Sequence, residues 1–179
     1  MLESLKNKCL DCKNCSLCET RHNVVFGVGN EKTDIMFIGE GPGEQEDLKG
    51  EPFVGKAGIL LDKLLNSIHL DRHENIYIAN IVKCRPPQNR DPKPEEQDMC
   101  ITWLYEQIRI IEPKIIVCLG SNLNHSTVRE YHSPIQTASA VTSKNLQIGR
   151  LYTLPNNQFF ETHLSKENCT LIFLSTGYA

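Results

Sequence analysis

Ile35-Met36-Phe37-Ile38-Gly39-Glu40-Gly41-Pro42-Gly43-Glu44-Gln45-Glu46-Asp47 is the stretch on which the fold turns. Its first four residues form an apolar run that reads as a short buried strand. The glycine- and acid-rich part continues through Gly50-Glu51-Pro52-Phe53-Val54-Gly55, and Ala57-Gly58-Ile59-Leu60-Leu61 then opens an amphipathic helix. Strand, loop and helix in that order put the loop at the carboxyl end of a strand, where open α/β sheets place their ligand crevice. Glycines admit close approach of backbone to a ligand, carboxylates supply charge, and Phe53 supplies a flat face for stacking. A long polar surface loop is the plainer reading, but it does not account for glycines, acids and an aromatic gathered in one place.

Working toward the carboxyl terminus, Leu60, Leu61, Leu64, Leu65 and Ile68 recur at helical spacing and predict a helix over 58–68 with one core-facing stripe. Asn75 to Val82 is a β-rich run. It ends in Lys83-Cys84-Arg85-Pro86-Pro87-Gln88-Asn89-Arg90-Asp91-Pro92, where the prolines stop both helix and sheet. Pro94-Glu95-Glu96 suits a helix start, with acids near the positive end of the dipole, and the helix should run to about Ile111. Pro113 ends it, and Lys114 to Gly120 reads as another buried strand. Toward the amino terminus, Asn23 to Gly27 and Asp34 to Ile38 read as short strands around a Gly29-Asn30 turn. Alternation of strand and helix implies a three-layer α/β/α fold with a central, mostly parallel sheet.

At 179 residues the chain has a single-domain length. Residues 1–22 read as a cysteine-rich arm, 23–120 as the core and 121–179 as an atypical tail. No apolar run approaches the roughly 18 residues of a membrane span, and the amino terminus lacks a basic region followed by an apolar one, so a cytoplasmic protein without a membrane partner is expected. A net charge of −3 argues against wholesale coating of nucleic acid but leaves room for a local basic patch. Lys83, Arg85, Arg90 and Lys93, set against Asp91, form such a patch for phosphate contact; a solvated loop is the alternative.

The chain has 8 cysteines. In a reducing compartment these point to metal binding rather than disulfides. Cys12-Lys13-Asn14-Cys15 is a two-ligand knuckle suited to zinc or an iron–sulfur cluster. Cys9 and Cys18 would complete a local set, and Cys84 and Cys100 a long-range one; spacing leaves both open. Cys118, in an apolar strand, reads as a buried free thiol, and Cys169 has no evident partner.

After Gly120 the character changes. Residues 121–179 hold 7 charged residues against 34 before them, and 23 of these last 59 are Ser, Thr, Asn or Gln. The chain closes on the apolar run Thr170-Leu171-Ile172-Phe173-Leu174. Either this is a β-rich closing region, or it does not share the history of the preceding chain, for example through a shifted reading frame.

Cys-x-x-Cys-x-Leu-x-Glu-Thr-Arg at 12–21, Gly-Glu-Gly-Pro-Gly-Glu-x-Glu-Asp at 39–47, Pro-Phe-Val-Gly-x-Ala-Gly at 52–58 and Asn-x-Val-Lys-Cys-Arg-Pro-Pro-x-Asn-Arg at 80–90 closely resemble the family-four uracil-DNA glycosylases. The resemblance covers roughly residues 9–120. It implies a four-stranded sheet of the uracil-DNA glycosylase type and a 4Fe-4S cluster on Cys12, Cys15, Cys84 and Cys100, with Cys9 and Cys18 as spare thiols. It also implies a monomer acting on uracil-containing DNA, single- or double-stranded. Glu40 falls on the acid near the attacked sugar carbon. Gly41, with Pro42 and Gly43, falls on the pocket backbone, Phe53 on the ring that stacks on uracil and Asn80 on the amide that reads its edge. The chemistry agrees: an amide offers the donor and acceptor that uracil's adjacent carbonyl and N–H require, and a carboxylate can stabilise an oxocarbenium-like sugar and orient water. Glu40 is the expected catalytic acid and Glu46 the reserve.

The family closes with a His-Pro-Ser motif that this chain lacks. Tyr131-His132-Ser133-Pro134 has the letters in another order, and Thr162-His163-Leu164-Ser165 is the nearer match, making His163 the candidate for the missing histidine. If it is not, the fourth strand and the duplex wedge are lost and the chain is a weakened or inactive relative. A non-enzymatic iron–sulfur or zinc module that binds DNA is a further alternative. A nucleotide-binding α/β protein would explain the glycines but is disfavoured because the loop lacks the Lys-Ser/Thr of a P-loop and its acids repel phosphate.

Overall fold

The computed structural model describes residues 1–120, 159–164 and 170–175. Six strands form one sheet: β1 (Val28–Gly29), β2 (Ile35–Gly39), β3 (Ile76–Asn80), β4 (Ile115–Leu119), β5 (Phe159–Leu164) and β6 (Thr170–Ser175). Their order is β1-β3-β2-β4-β6-β5. The four inner strands β3, β2, β4 and β6 are parallel, and β1 and β5 flank them antiparallel. Four helices accompany the sheet: α1 (Leu2–Leu10), α2 (Glu44–Lys49), α3 (Lys56–Ser67) and α4 (Pro94–Ile111). The chain leaves β2 to one side through α3 to form β3, then returns through α4 to the other side of β2 to form β4. That reversal of direction opens the crevice at the carboxyl ends of the strands.

The two-residue period of the strands sorts their side chains into two cores. Met36, Ile38, Tyr77, Ala79, Ile116 and Cys118 pack with Ile101, Leu104, Ile108 and Ile111 of α4 and with Leu2 and Cys9 of α1. Phe37, Ile76, Ile78 and Val117 face the other way, onto Leu61 and Leu65 of α3. Strands buried on both faces require near-continuous apolar runs, which is what residues 35–38, 76–79 and 115–119 supply.

Several expectations change in detail. The fourth parallel strand, in doubt from the sequence, is formed by β6, whose Thr170 to Leu174 pair with Ile115 to Leu119. Asn23 to Gly27 is not a strand; only Val28 and Gly29 pair with β3. The backbone there passes so close to Tyr77 that a Cβ on Gly27 would lie 2.7 Å from the phenol oxygen, and Gly27 has φ +147°. The long loop after β2 contains a helix, α2, whose first turn carries Glu44, Glu46 and Asp47 and which Gly50 ends in the left-handed region at φ +75°. The expected single stripe of α3 divides: Leu61 and Leu65 are buried, while Ile59, Leu60, Leu64 and Ile68 are exposed among the described residues. The amino-terminal arm contributes to the core as well, since Leu2, Cys9 and Leu17 are buried.

A buried polar network ties α4 to the sheet. Lys83 is only 1% exposed, and its Nζ donates to the Asn80 carbonyl (2.8 Å) and to Gln107 Oε1 (2.6 Å). The Gln107 amide nitrogen in turn donates to the Phe26 carbonyl (2.9 Å) and the Tyr77 hydroxyl (3.2 Å). Burial lowers the Lys83 pKa to about 8, against the opposing pull of Cys100, Cys9 and Cys84. Replacing Gln107 by Leu strips a buried ammonium of an acceptor and should cost about 2–4 kcal/mol. Urea unfolding measures this, and a midpoint equal to the parent's would show that the network carries no stability.

Candidate active site and cysteine-lined cavity

The crevice is built on one register pair. Gly39 ends β2 beside Asn80, which ends β3, and the pairing continues past the strand ends through Ile81 N–H to the Gly39 carbonyl (2.9 Å) and Val82 N–H to the Glu40 carbonyl (3.1 Å). A Cβ on Gly39 would stand 2.4 Å from Asn80 Oδ1 and 2.7 Å from the Phe53 ring. Only glycine fits there, so amide and ring converge over bare backbone. Asn80 is 1% exposed and its Oδ1 has no partner among the described residues, and Glu40 Oε1 is likewise buried and unpartnered. Each such acceptor costs about 1–3 kcal/mol when left unsatisfied, which a folded chain tolerates where a ligand supplies the donor. Burial, and then the negative charge of Asp91, raise the pKa of Glu40 above the ordinary carboxylate value.

Gly41, Pro42 and Gly43 form one side of an open cleft of about 370 Å³, faced by Pro86, Asn89, Arg90, Asp91 and Pro92. A Cβ on Gly41 would meet Val82 at 2.6 Å. Glu46 has a different position from Glu40. Its Oε1 accepts the amides of Val54 (2.9 Å) and Gly55 (2.7 Å) and so braces the turn that carries Phe53, while its Oε2 lies close to Gly43, where a Cβ would stand 2.8 Å away. Asp47, fully buried, accepts the backbone amides of His22 (2.9 Å) and Asn23 (3.1 Å) and pairs with His22 Nδ1 at 2.7 Å. Burial alone would raise its pKa, but the His22 ring and the two amides outweigh this and hold it below the ordinary value. Sequence reasoning passed over Gly39 and Asp47; the signal available was the position of each, the last residue of a strand and the last acid of the loop motif.

A second, tightly packed pocket involves the loop that follows β3. Cys12, Cys15, Cys84 and Cys100 line it together with Cys9, Cys18, Arg21 and Trp103. Arg21 Nη1 donates to Cys84 Sγ, and the Lys83 amide donates to Cys100 Sγ, each at 3.2 Å. Donors aimed at sulfur favour the thiolate form. Burial opposes them, raising the Cys84 thiol and pushing Cys100 and Cys9 up to about 12. The seven described cysteines are free. Among the described residues no three His, Cys, Asp or Glu side chains converge as a single metal ion requires. Trp103 Nε1 is buried there without a partner. Cys118 is buried in β4, as expected, and Cys169 lies outside the described residues.

A family model for the uracil DNA glycosylase superfamily matches residues 26–172. The chain is 46% identical over 149 residues to the type-4 uracil-DNA glycosylase of Archaeoglobus fulgidus, covering 83% of this chain and 74% of that protein. It belongs to the type-4 uracil-DNA glycosylases. The corresponding enzyme of Thermotoga maritima is 51% identical over 121 residues, 68% of this chain and 62% of that one. That of Sulfurisphaera tokodaii is 45% identical over 141 residues, 79% and 63% of the two chains. The chain thus spans under two thirds of the length of these last two relatives.

Family membership sharpens the reading of the remaining expected site residues. Lys83 does not lie on a phosphate-facing surface; it is buried in the network with Gln107, and this corrects its assignment to DNA contact. Arg85 donates to Asn89 Oδ1 (2.7 Å) and lies 3.7 Å from Glu44. Arg90 grips Glu96 through two hydrogen bonds of 2.8 and 2.7 Å. His163 stands apart from the crevice. Its backbone pairs with Leu171, Leu171 with Ile116 and Ile116 with Met36. It is therefore level with Met36 and three strands from β2, roughly 17 Å from the Gly39 backbone. This corrects the expectation that His163 completes the site. Tyr131 to Pro134 lie outside the described residues.

Glu96 knots the region together, because it also accepts from the Lys93 amide (2.8 Å) and from Ser16 of the arm (3.4 Å). The hydrogen bonds from Arg90 outweigh burial and hold its pKa at about 2, against 4.5 ordinarily. A depressed carboxylate stabilises the fold above its unfolded pKa and loses that contribution as pH falls toward the folded one. Glu96→Gln should therefore cost about 1–2 kcal/mol at neutral pH. Its difference from the parent should shrink between about pH 4.5 and 2. Thermal unfolding across that range checks this, and parallel curves would contradict it.

Proposed function

We propose that this chain removes uracil from DNA by hydrolysing the bond between the base and C1′ of deoxyribose, leaving an abasic site, and that Cys12, Cys15, Cys84 and Cys100 hold a 4Fe-4S cluster. The observation that carries the first part is the buried Asn80 Oδ1, unpartnered among the described residues, which meets the Phe53 ring at the Gly39 backbone, with the buried and unpartnered Glu40 Oε1 on the next residue. A nucleotide swung out of the stack would bring its base to the Phe53 ring and the Asn80 amide. Asn80 Oδ1 accepts the N3–H of uracil and the amide nitrogen donates to the neighbouring carbonyl. Cytosine presents an acceptor and an amino group at those positions and leaves both Asn80 atoms mismatched.

As the glycosidic bond breaks, its electron pair passes to uracil N1 and positive charge develops on the sugar. The Glu40 carboxylate stabilises that charge and takes a proton from the water whose oxygen bonds C1′. Its raised pKa makes it a better proton acceptor than an ordinary carboxylate, and the required form is the ionised one. Activity should therefore rise with pH through a value above the usual glutamate range. Asp91→Asn, which removes the neighbouring negative charge, should move that limb to lower pH; an unmoved limb would remove Asp91 from the account.

For the cluster, the support is the chemistry of the donor set: four thiols from the arm, the loop after β3 and α4 around one cavity, with N–H donors on two sulfurs. When bound, the cluster ties arm, loop and helix covalently; hydrolysis needs no electron from it. The reduced thiols fit a cytoplasmic location. Purified protein should absorb near about 400 nm. Because Trp103 is the chain's single tryptophan and lines this cavity, its fluorescence should rise when iron is removed with a chelator. Zinc binding would give neither signal.

A second reading, a weakened relative, draws on the distance of His163 from the crevice. Incubation with single-stranded and duplex oligonucleotides bearing one uracil, followed by alkali, separates the two. Cleavage that falls about 100-fold or more in Glu40→Gln supports the glycosylase. No cleavage by a folded, iron-replete sample rejects it.

A further inference from the structure

Phe53 is one of five non-glycine residues at positive φ among the described residues, with φ +53°. For a bulky aromatic this left-handed conformation is costly and persists only where the surroundings impose it. Three groups impose it here. The Arg72 guanidinium, 9% exposed, donates through Nη1 to the Pro52 carbonyl (3.2 Å) and through Nη2 to the Phe53 carbonyl (2.6 Å). Its Nε donates to Asp62 of α3 at 2.7 Å, which fixes the plane of the fork. From the other side Gly58 sits so close that a Cβ there would lie 1.7 Å from the Phe53 carbonyl oxygen. The next two amides, Val54 and Gly55, are taken up by Glu46. The carbonyls of Pro52 and Phe53 and the amides of Val54 and Gly55 are thus all held by Arg72 and Glu46, while the Phe53 ring meets Asn80 Oδ1 at Gly39.

We propose that Arg72, held by Asp62, is a positioning residue for base recognition: it fixes the left-handed turn that aims the Phe53 ring over Gly39, so that uracil binding depends on an ion pair that never touches the substrate. This rests on the reading of Phe53 as the stacking ring. A lysine cannot reproduce the arrangement, because the fork serves two carbonyls and a carboxylate at once with planar geometry, whereas an ammonium offers a single point of charge. The effect belongs to binding rather than to bond cleavage, since the hydrogen bonds of Arg72 and Glu46 run to Asp62 and to residues 52–55, whereas the Glu40 carbonyl is held by the Val82 amide.

The test is a double-mutant cycle with a structural readout. Arg72→Gln should raise KM for a uracil-containing oligonucleotide about tenfold while kcat changes less than about twofold. Arg72→Lys should fall between the two. Asp62→Asn, which leaves Arg72 in place, should act in the same direction and guards against a variant that fails to fold. If Arg72 works through Phe53, then Phe53→Ala combined with Arg72→Gln should be no worse in KM than Phe53→Ala alone. In substrate-free protein, amide exchange at Val54 and Gly55 should accelerate in Arg72→Gln while exchange in β2 and β3 stays as in the parent. Unchanged exchange at those two amides, a KM within about twofold of the parent, or full additivity with Phe53→Ala overturns the proposal. If the parent itself cleaves no uracil DNA, the glycosylase reading fails, and the exchange measurement still decides whether Arg72 fixes the turn.

Discussion

The parallel pairing of β2 with β3 is the constraint from which the site follows. Register sets Gly39 against Asn80, and the space between them admits no side chain. A slip of one residue would bring Ile38 to the crevice and turn the apolar faces of both strands outward. The two cores that alternate along these strands thus fix the strand ends at which the Asn80 amide and the Phe53 ring meet over the Gly39 backbone. Packing energy, spread over many apolar contacts, is converted into the placement of one amide and one ring.

The crevice and the cysteine-lined cavity are neighbours along the chain. Asn80 faces the first, Cys84 the second, and the residues between them are buried. Lys83 spans the interval: its ammonium holds the Asn80 carbonyl while its own amide donates to Cys100. A residue that reads as a surface cation in sequence is therefore part of the wall between two sites. The cysteine-lined cavity and the Asn80 amide thus share the five consecutive residues 80–84.

The strands and helices of residues 35–120 were legible because apolar periodicity reflects burial directly, and α4 matches Pro94 to Ile111 as read. The short β1 and α2 were not, because they depend on glycine conformations and on Asp47 and Gly50 contacts that no local pattern announces. The expected site residues Glu40, Phe53 and Asn80, which the fold brings to the crevice, stood out by type within their motifs. Those that act from behind, Gly39, Arg72 and Glu46, did not, because their importance lies in a partner far along the chain. Basic residues misled for a related reason: charge in a sequence says nothing about whether Lys83 is solvated or paired with Gln107, or whether Arg90 is already committed to Glu96.

The bare backbone at Gly39 also bears on how this pocket can diversify. One wall of the base site is main chain, and main chain cannot be altered by substitution without displacing the amide or the ring beside it. Variation in the size of the accommodated base must then come from the opposite side, through the short turn at residues 52–55 and its supports. That makes the turn the adjustable jaw of the site and the strand ends its fixed anvil, a division of labour that concentrates evolvability in a few residues outside the sheet.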